Sequence, residues 1–275
     1  MIRYMTSMSR QRGFTLLELI IVIVITGIIA AAVAVFMRMP IQSYFDTTRR
    51  AELTDRADTA LRRMGRDIHL ALPNSVRIAS SGSNTAIEFL LTRSGGRYRA
   101  SVTSTGTGDI LDFTSGTDSS FDVLGPAVQV ARNDNIVVYN LGIPGADAYA
   151  GDTRRSYPGL GGTLTNIPYT STGTPFPFQS PDNRFYVIAG SPVAYNCNLA
   201  TGQLTRHTGY SIAATQLVPP SVAGDLIAEN VTACAFTYDS SAIGQRTGLV
   251  TITMTMTRSG ESVNLYHTIH VNNVP

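Results

Sequence analysis

There is no lysine in this 275-residue sequence; all 21 basic residues are arginine. A functional demand for positive charge would not exclude lysine everywhere, so the bias reads as genomic base composition. Charge is also scarce. Charged residues make up 15% and hydrophobic residues 43%, with most of the apolar excess in one N-terminal block. The formal net charge is +2, but Arg3, Arg10 and Arg12 precede that block with no acidic residue among them. Without those three the count is 18 Arg against 19 Asp plus Glu, or −1 on side chains. A nucleic-acid footprint needs a basic surplus on one face. That surplus is missing, so nucleic acid is not an expected partner.

Catalytic signatures are missing too. No G-x-S-x-G elbow, P-loop or H-E-x-x-H occurs. His267 and His270 are three apart on a predicted strand, which puts them on opposite faces and makes them a poor metal pair. His69 and His207 have no obvious partners. Asp134, Asp147, Asp152 and Asp182 lie in turn-rich segments without EF-hand spacing and read as turn formers. No metal, cofactor or enzymatic activity is expected. Cysteine is limited to Cys197 and Cys234, both far downstream of the apolar block. If that part lies outside the cytoplasm, a disulfide between them is the natural reading.

What is present begins at the N-terminus. Residues 1–13 are short, polar and basic. Residues 14–37 carry a single charge, Glu18, with Thr26 and Gly27 as weak interruptions. About 20 apolar residues span a bilayer as a helix. The arginines place the N-terminal end on the cytoplasmic side and send the remainder outward. A secretory signal peptide fits poorly, because the apolar block is too long and runs into Arg38, Met39 and Pro40. A plain signal anchor accounts for everything except Glu18. A carboxylate at a membrane helix centre costs roughly 2.5–3.5 kcal/mol on insertion scales, less near the end, and asks for a partner. One local answer is a capping box, since Thr15 and Glu18 have the T-x-x-E spacing.

Beyond Pro40 the pattern becomes amphipathic. Leu53, Ala57, Ala60, Leu61, Met64, Ile68, Ala71 and Leu72 form one apolar stripe, and the charged residues of 49–67 fall largely off it. The pattern predicts one helix over about 15–72, kinked near Pro40 and ended by Pro73. Its first half (14–40) needs lipid or other helices. Its second half (41–72) needs a sheet to lie on, and its charged face reads as solvated.

From Val76 onward the signals are β. Segments 85–91, 97–102, 135–141, 185–189 and 193–197 are short apolar runs between turn residues. Val250, Ile252, Met254 and Met256 alternate with threonines. Val263, Leu265, Ile269 and Val271 share one parity after the turn at Ser259 and Gly260. This predicts a hairpin with one buried face, the Met residues filling core. Residues 142–182 read as a long irregular loop, rich in Gly, Pro and Tyr. It could expose Tyr149, Tyr157, Tyr169, Phe176 and Phe178 to a partner, or pack on the domain as a flap. The predicted class is α+β: a long N-terminal helix, transmembrane in its first half, packed on an antiparallel β domain at 73–275.

Gly13-Phe14-Thr15-Leu16-Leu17-Glu18, after a basic leader and before an apolar helix, resembles the class III signal of type IV pilins and type II secretion pseudopilins. The resemblance implies the pilin fold and cleavage by prepilin peptidase after Gly13. It implies N-methylation of Phe14, and pairing of Glu18 with the N-terminal ammonium of a neighbouring subunit. It also implies anchoring in the inner membrane with a periplasmic domain, then passage through a pilus assembly platform into a filament of pilin subunits. The length, the ending at 270–275 and the stretch at 72–77 resemble MshO-like minor pilins of the mannose-sensitive haemagglutinin (MSHA) pilus, related to J-type pseudopilins. Pilin-like proteins often carry a late disulfide, which fits Cys197 and Cys234. The implied role is a minor pilin that primes or caps the filament. The alternatives are a type II secretion pseudopilin, a tip adhesin using 142–182, or an enzyme on a signal anchor.

Overall fold

The computed structural model describes residues 13–243 and 247–275. Arg3, Arg10 and Arg12 of the expected leader lie outside the described residues. The chain divides into two units, Met1–Ala51 and Glu52–Pro275.

Helix α1 spans Leu16–His69, with Pro40 inside it. In the first unit its residues from Leu16 to Met37 are all exposed. It is the one helix among the described residues long and apolar enough to cross a membrane. The Thr26 hydroxyl donates to the Val22 carbonyl at 2.6 Å, which satisfies the one polar side chain in that stretch after Glu18. Pro40 has no N–H to give, so the rung to the Phe36 carbonyl is missing.

In the second unit the apolar stripe is buried as its spacing predicts, with Ala57, Met64 and Ile68 fully covered. The helix stops three residues short of Leu72, and β pairing is the reason. Leu72 N–H donates to the Leu90 carbonyl, and Thr92 N–H donates to the Leu70 carbonyl, both at 2.8 Å. Once a strand captures those groups they cannot continue the helical ladder.

The strands follow in chain order. β1 (Arg77–Ser81), β2 (Asn84–Tyr98), β3 (Ser120–Leu124), β4 (Val128–Ala131) and β5 (Asn135–Val137) come first. Then come β6 (Arg154–Ser156), β7 (Gly161–Leu164), β8 (Asn166–Pro168) and β9 (Arg184–Asn198). Last are β10 (Gln203–His207), β11 (Asp225–Glu229), β12 (Val231–Ile243), β13 (Thr247–Arg258) and β14 (Glu261–Asn272). The larger sheet runs β11-β10-β9-β2-β3-β8, with β1 on β2 and β5 on β9. A second sheet is β12-β13-β14 and a third is β4-β7. Every pairing is antiparallel.

The helix stripe lies in one core with Ile87, Phe89, Val193 and Tyr195 from the larger sheet and Ile252, Met254 and Met256 from the second. The methionines are core filler. Asp67, at the margin of the stripe, accepts from Tyr195 Oη and Arg206 Nε, both at 2.8 Å, which ties the helix to β9 and β10. The strand expected at 97–102 ends at Tyr98, and that expected at 135–141 ends at Val137.

Residues 142–182 are not a structureless loop. They contain β6, β7 and β8, each of three or four residues, too short to show a period in sequence. Of the five aromatics there, Tyr149, Tyr157, Tyr169 and Phe176 are buried and Phe178 is half-exposed. The segment is a packed flap. Arg155, 3% exposed, fastens it. Its guanidinium donates to the carbonyls of Gly151, Asp152, Arg154, Thr174 and Pro175 at 2.9–3.1 Å. It also lies over the Phe176 ring.

Candidate functional site

The segment that carries the sequence signal is Gly13 to Glu18. Thr15 is the N-cap of α1, just before its first residue Leu16. Glu18 N–H donates to Thr15 Oγ1 at 3.2 Å, while Thr15 N–H and its hydroxyl donate to Glu18 Oε2, both at 3.1 Å. This reciprocal arrangement is a capping box. It satisfies donors that a helix start leaves open. The local reading of Glu18 is therefore realised within one subunit. Both of these carboxylate bonds fall on Oε2, and the side chain stays exposed.

Phe14 is 84% exposed. A Cβ built on Gly13 would meet no atom within 4 Å, and its φ is not in the left-handed region. Nothing among the described residues requires glycine at 13. The same holds for Gly27 inside the apolar helix, where glycine weakens a helix by about 1 kcal/mol relative to alanine.

Residues 8–34 match the prokaryotic N-terminal methylation motif. The motif indicates a type IV pilin or pseudopilin. It implies processing by prepilin peptidase, assembly into pilus-like filaments and anchoring in a membrane, and its family is structural, not enzymatic. No curated protein and no solved structure matches the chain. The match ends at Ala34, so the β domain is read from its own geometry.

The other residues singled out in sequence fall elsewhere. Cys197 on β9 is buried and Cys234 on β12 is half-buried, and both are free thiols. Their hydrogen bond comes first, then burial, in pushing the Cys234 thiol well above its usual value. The pair lies where the two large sheets share one core. His267 packs beside Gly65 of α1, whereas His270 on the opposite face is exposed. No cluster of three metal-ligating side chains occurs among the described residues.

Two features had no sequence signal. Glu88, 1% exposed, accepts from Arg77 Nε at 2.8 Å and from Tyr210 Oη at 2.7 Å. Arg77 also reaches the Ala213 and Ala214 carbonyls, so the group holds the 208–224 segment on the larger sheet. The second feature is a junction of three asparagines. Asn74 donates to the carbonyls of Asn140 and Asn273, and the Asn273 side chain bonds Tyr238 and Ser240. The stretches at 72–77 and 270–275, which carry the finer resemblance, therefore meet in space.

Proposed function

We propose that this chain is a minor pilin of an MSHA-like type IV pilus, a structural subunit that primes or caps filament assembly. The observation that carries the reading is the methylation-motif segment: a glycine with no internal role, an exposed Phe14, and an exposed carboxylate four residues on, at the head of an apolar helix. Cleavage after Gly13 removes three arginines and creates an ammonium at Phe14, which is then N-methylated. A lone ammonium and a lone carboxylate are both costly in a low-dielectric bundle. Pairing Phe14 of one subunit with Glu18 of another satisfies both and fixes axial register. Before assembly the subunit sits in the inner membrane with its β domain in the periplasm, and Pro40 supplies a kink in the spine. A β domain of this size supports a minor component over a major one.

Mass spectrometry of the chain from its native cell tests this. The expected N-terminus is Phe14 bearing one methyl group. An intact Met1 terminus would overturn the reading. Neighbouring genes for a full secretion operon would shift it to a type II secretion pseudopilin. The burial of four flap aromatics weighs against an adhesin loop at 142–182.

In the oxidising periplasm we further propose that Cys197 and Cys234 are bonded. Closing the loop between them should stabilise by roughly 3–4 kcal/mol in the chain-entropy model. Reductant should then lower the unfolding midpoint of the wild-type chain and leave a Cys197→Ala, Cys234→Ala chain unmoved. An identical midpoint with and without reductant sinks the disulfide.

A further inference from the structure

β11 and β14 are two of the sheet edges of the second unit. β11 ends the larger sheet, which carries β1 on β2, and β14 ends the second. The sheets adjoin where β12 lies beside β1 and β2.

β14 is an unusual edge. It pairs with β13 over all twelve residues without a bulge. It contains no proline, lysine or arginine, and its one acidic residue is Glu261 at the start. No backbone hydrogen bond to its outer side occurs among the described residues. Edge strands are ordinarily kept short, bulged, charged or covered, because open backbone groups recruit other strands. β14 has none of these devices. Its exposed side chains, Asn264, Tyr266, His270 and Asn272 among them, include no Asp, Glu, Lys or Arg.

Strand direction selects the occupant. β14 runs with α1: Arg258, just before it, lies by Glu52, and Asn273, just after it, bonds Asn74 beyond the helix end. β11 runs against α1. Asp225 at its start is opposite Arg206, which holds Asp67, and Glu229 at its end borders a groove with Asp55 and Arg56. Subunits of one filament all point the same way. Side by side, β14 of one copy is then antiparallel to β11 of the next. The groove between α1 and β11, about 410 Å³ and flanked by half-exposed Leu226, lies where inward side chains of an added strand would fall.

We propose that β14 of one subunit adds to β11 of a second copy as an antiparallel strand. The contact is heterologous, so it continues from copy to copy. It rests on the filament reading and adds to it that this subunit packs beside itself in the priming or capping complex.

Cysteine crosslinking in cells making the full chain tests the contact. Leu226→Cys is combined in turn with Asn264→Cys, Tyr266→Cys and Thr268→Cys, because the axial offset selects the facing pair. Facing residues across antiparallel strands lie about 4.5–5.5 Å apart, within disulfide reach. At least one double variant should give oxidised ladders of three or more subunits, with wild type and each single variant monomeric. Dimers from a single variant would mean an edge meeting itself and overturn the proposal. So would the absence of ladders in folded double variants. The N-terminal mass and filament content of the same sample separate the two readings: processed, incorporated chain without ladders refutes only the edge contact.

Discussion

A Gly13→Val chain should remain full length, folded and membrane-inserted, and should be absent from filaments. The reason lies in what Gly13 does not do. An added Cβ meets no atom within 4 Å and the backbone there is not left-handed. The N-cap contacts belong to Thr15 and Glu18. The substitution therefore lacks any mechanism for unfolding, and stability should stay within about 0.5 kcal/mol. A protease that admits only glycine before the cut would reject the chain outright. The uncut chain keeps Arg3, Arg10 and Arg12 and never forms the Phe14 ammonium, so targeting charge and the docking charge fail together. The measurement is the fraction of chain with a Phe14 terminus, beside the fraction sedimenting with filaments. Normal cutting of the valine chain would remove the peptidase reading.

The spine was readable because its signal is local and periodic. Eight apolar residues from Leu53 to Leu72 repeat at helical spacing, and each is nearly inaccessible. The β13–β14 hairpin was readable for the same reason at period two. The flap was not, because what orders it is one buried arginine held by carbonyls from two distant stretches, and carbonyls have no residue code. Segments 185–189 and 193–197 look like two strands, separated by Gly190 and Pro192, yet both lie in β9. Gly190 is there because a Cβ would sit 2.2 Å from the Asn133 carbonyl oxygen. The asparagine junction joins residues 199 apart in sequence, beyond any local pattern. Of the candidate site, sequence showed every residue of the 13–18 segment and both roles open to Glu18. The structure added that the cap forms and that a Cβ at Gly13 would meet no atom among the described residues.

Glu18 forms a cap, the proposed pairing would give it a second purpose, and substitutions can separate the two. Glu18→Ala should leave insertion intact and reduce incorporation into filaments by tenfold or more, while also losing the cap. A cap is worth about 1 kcal/mol, which is small against a long helix held in lipid. Glu18→Gln keeps the capping box, since Gln fills that position as well as Glu, but cannot neutralise an ammonium. Thr15→Ala does the reverse: it removes the hydroxyl partner and leaves the carboxylate free to pair. If register rests on charge, the Gln chain should fail to incorporate almost as completely as the Ala chain, and the Thr15→Ala chain should assemble near wild-type levels. The comparison is made by quantifying each variant in sheared filaments against its amount in the membrane. Should Glu18→Gln assemble normally and Thr15→Ala fail, the carboxylate is a helix cap alone, and axial register must be set by the packing of the apolar helices.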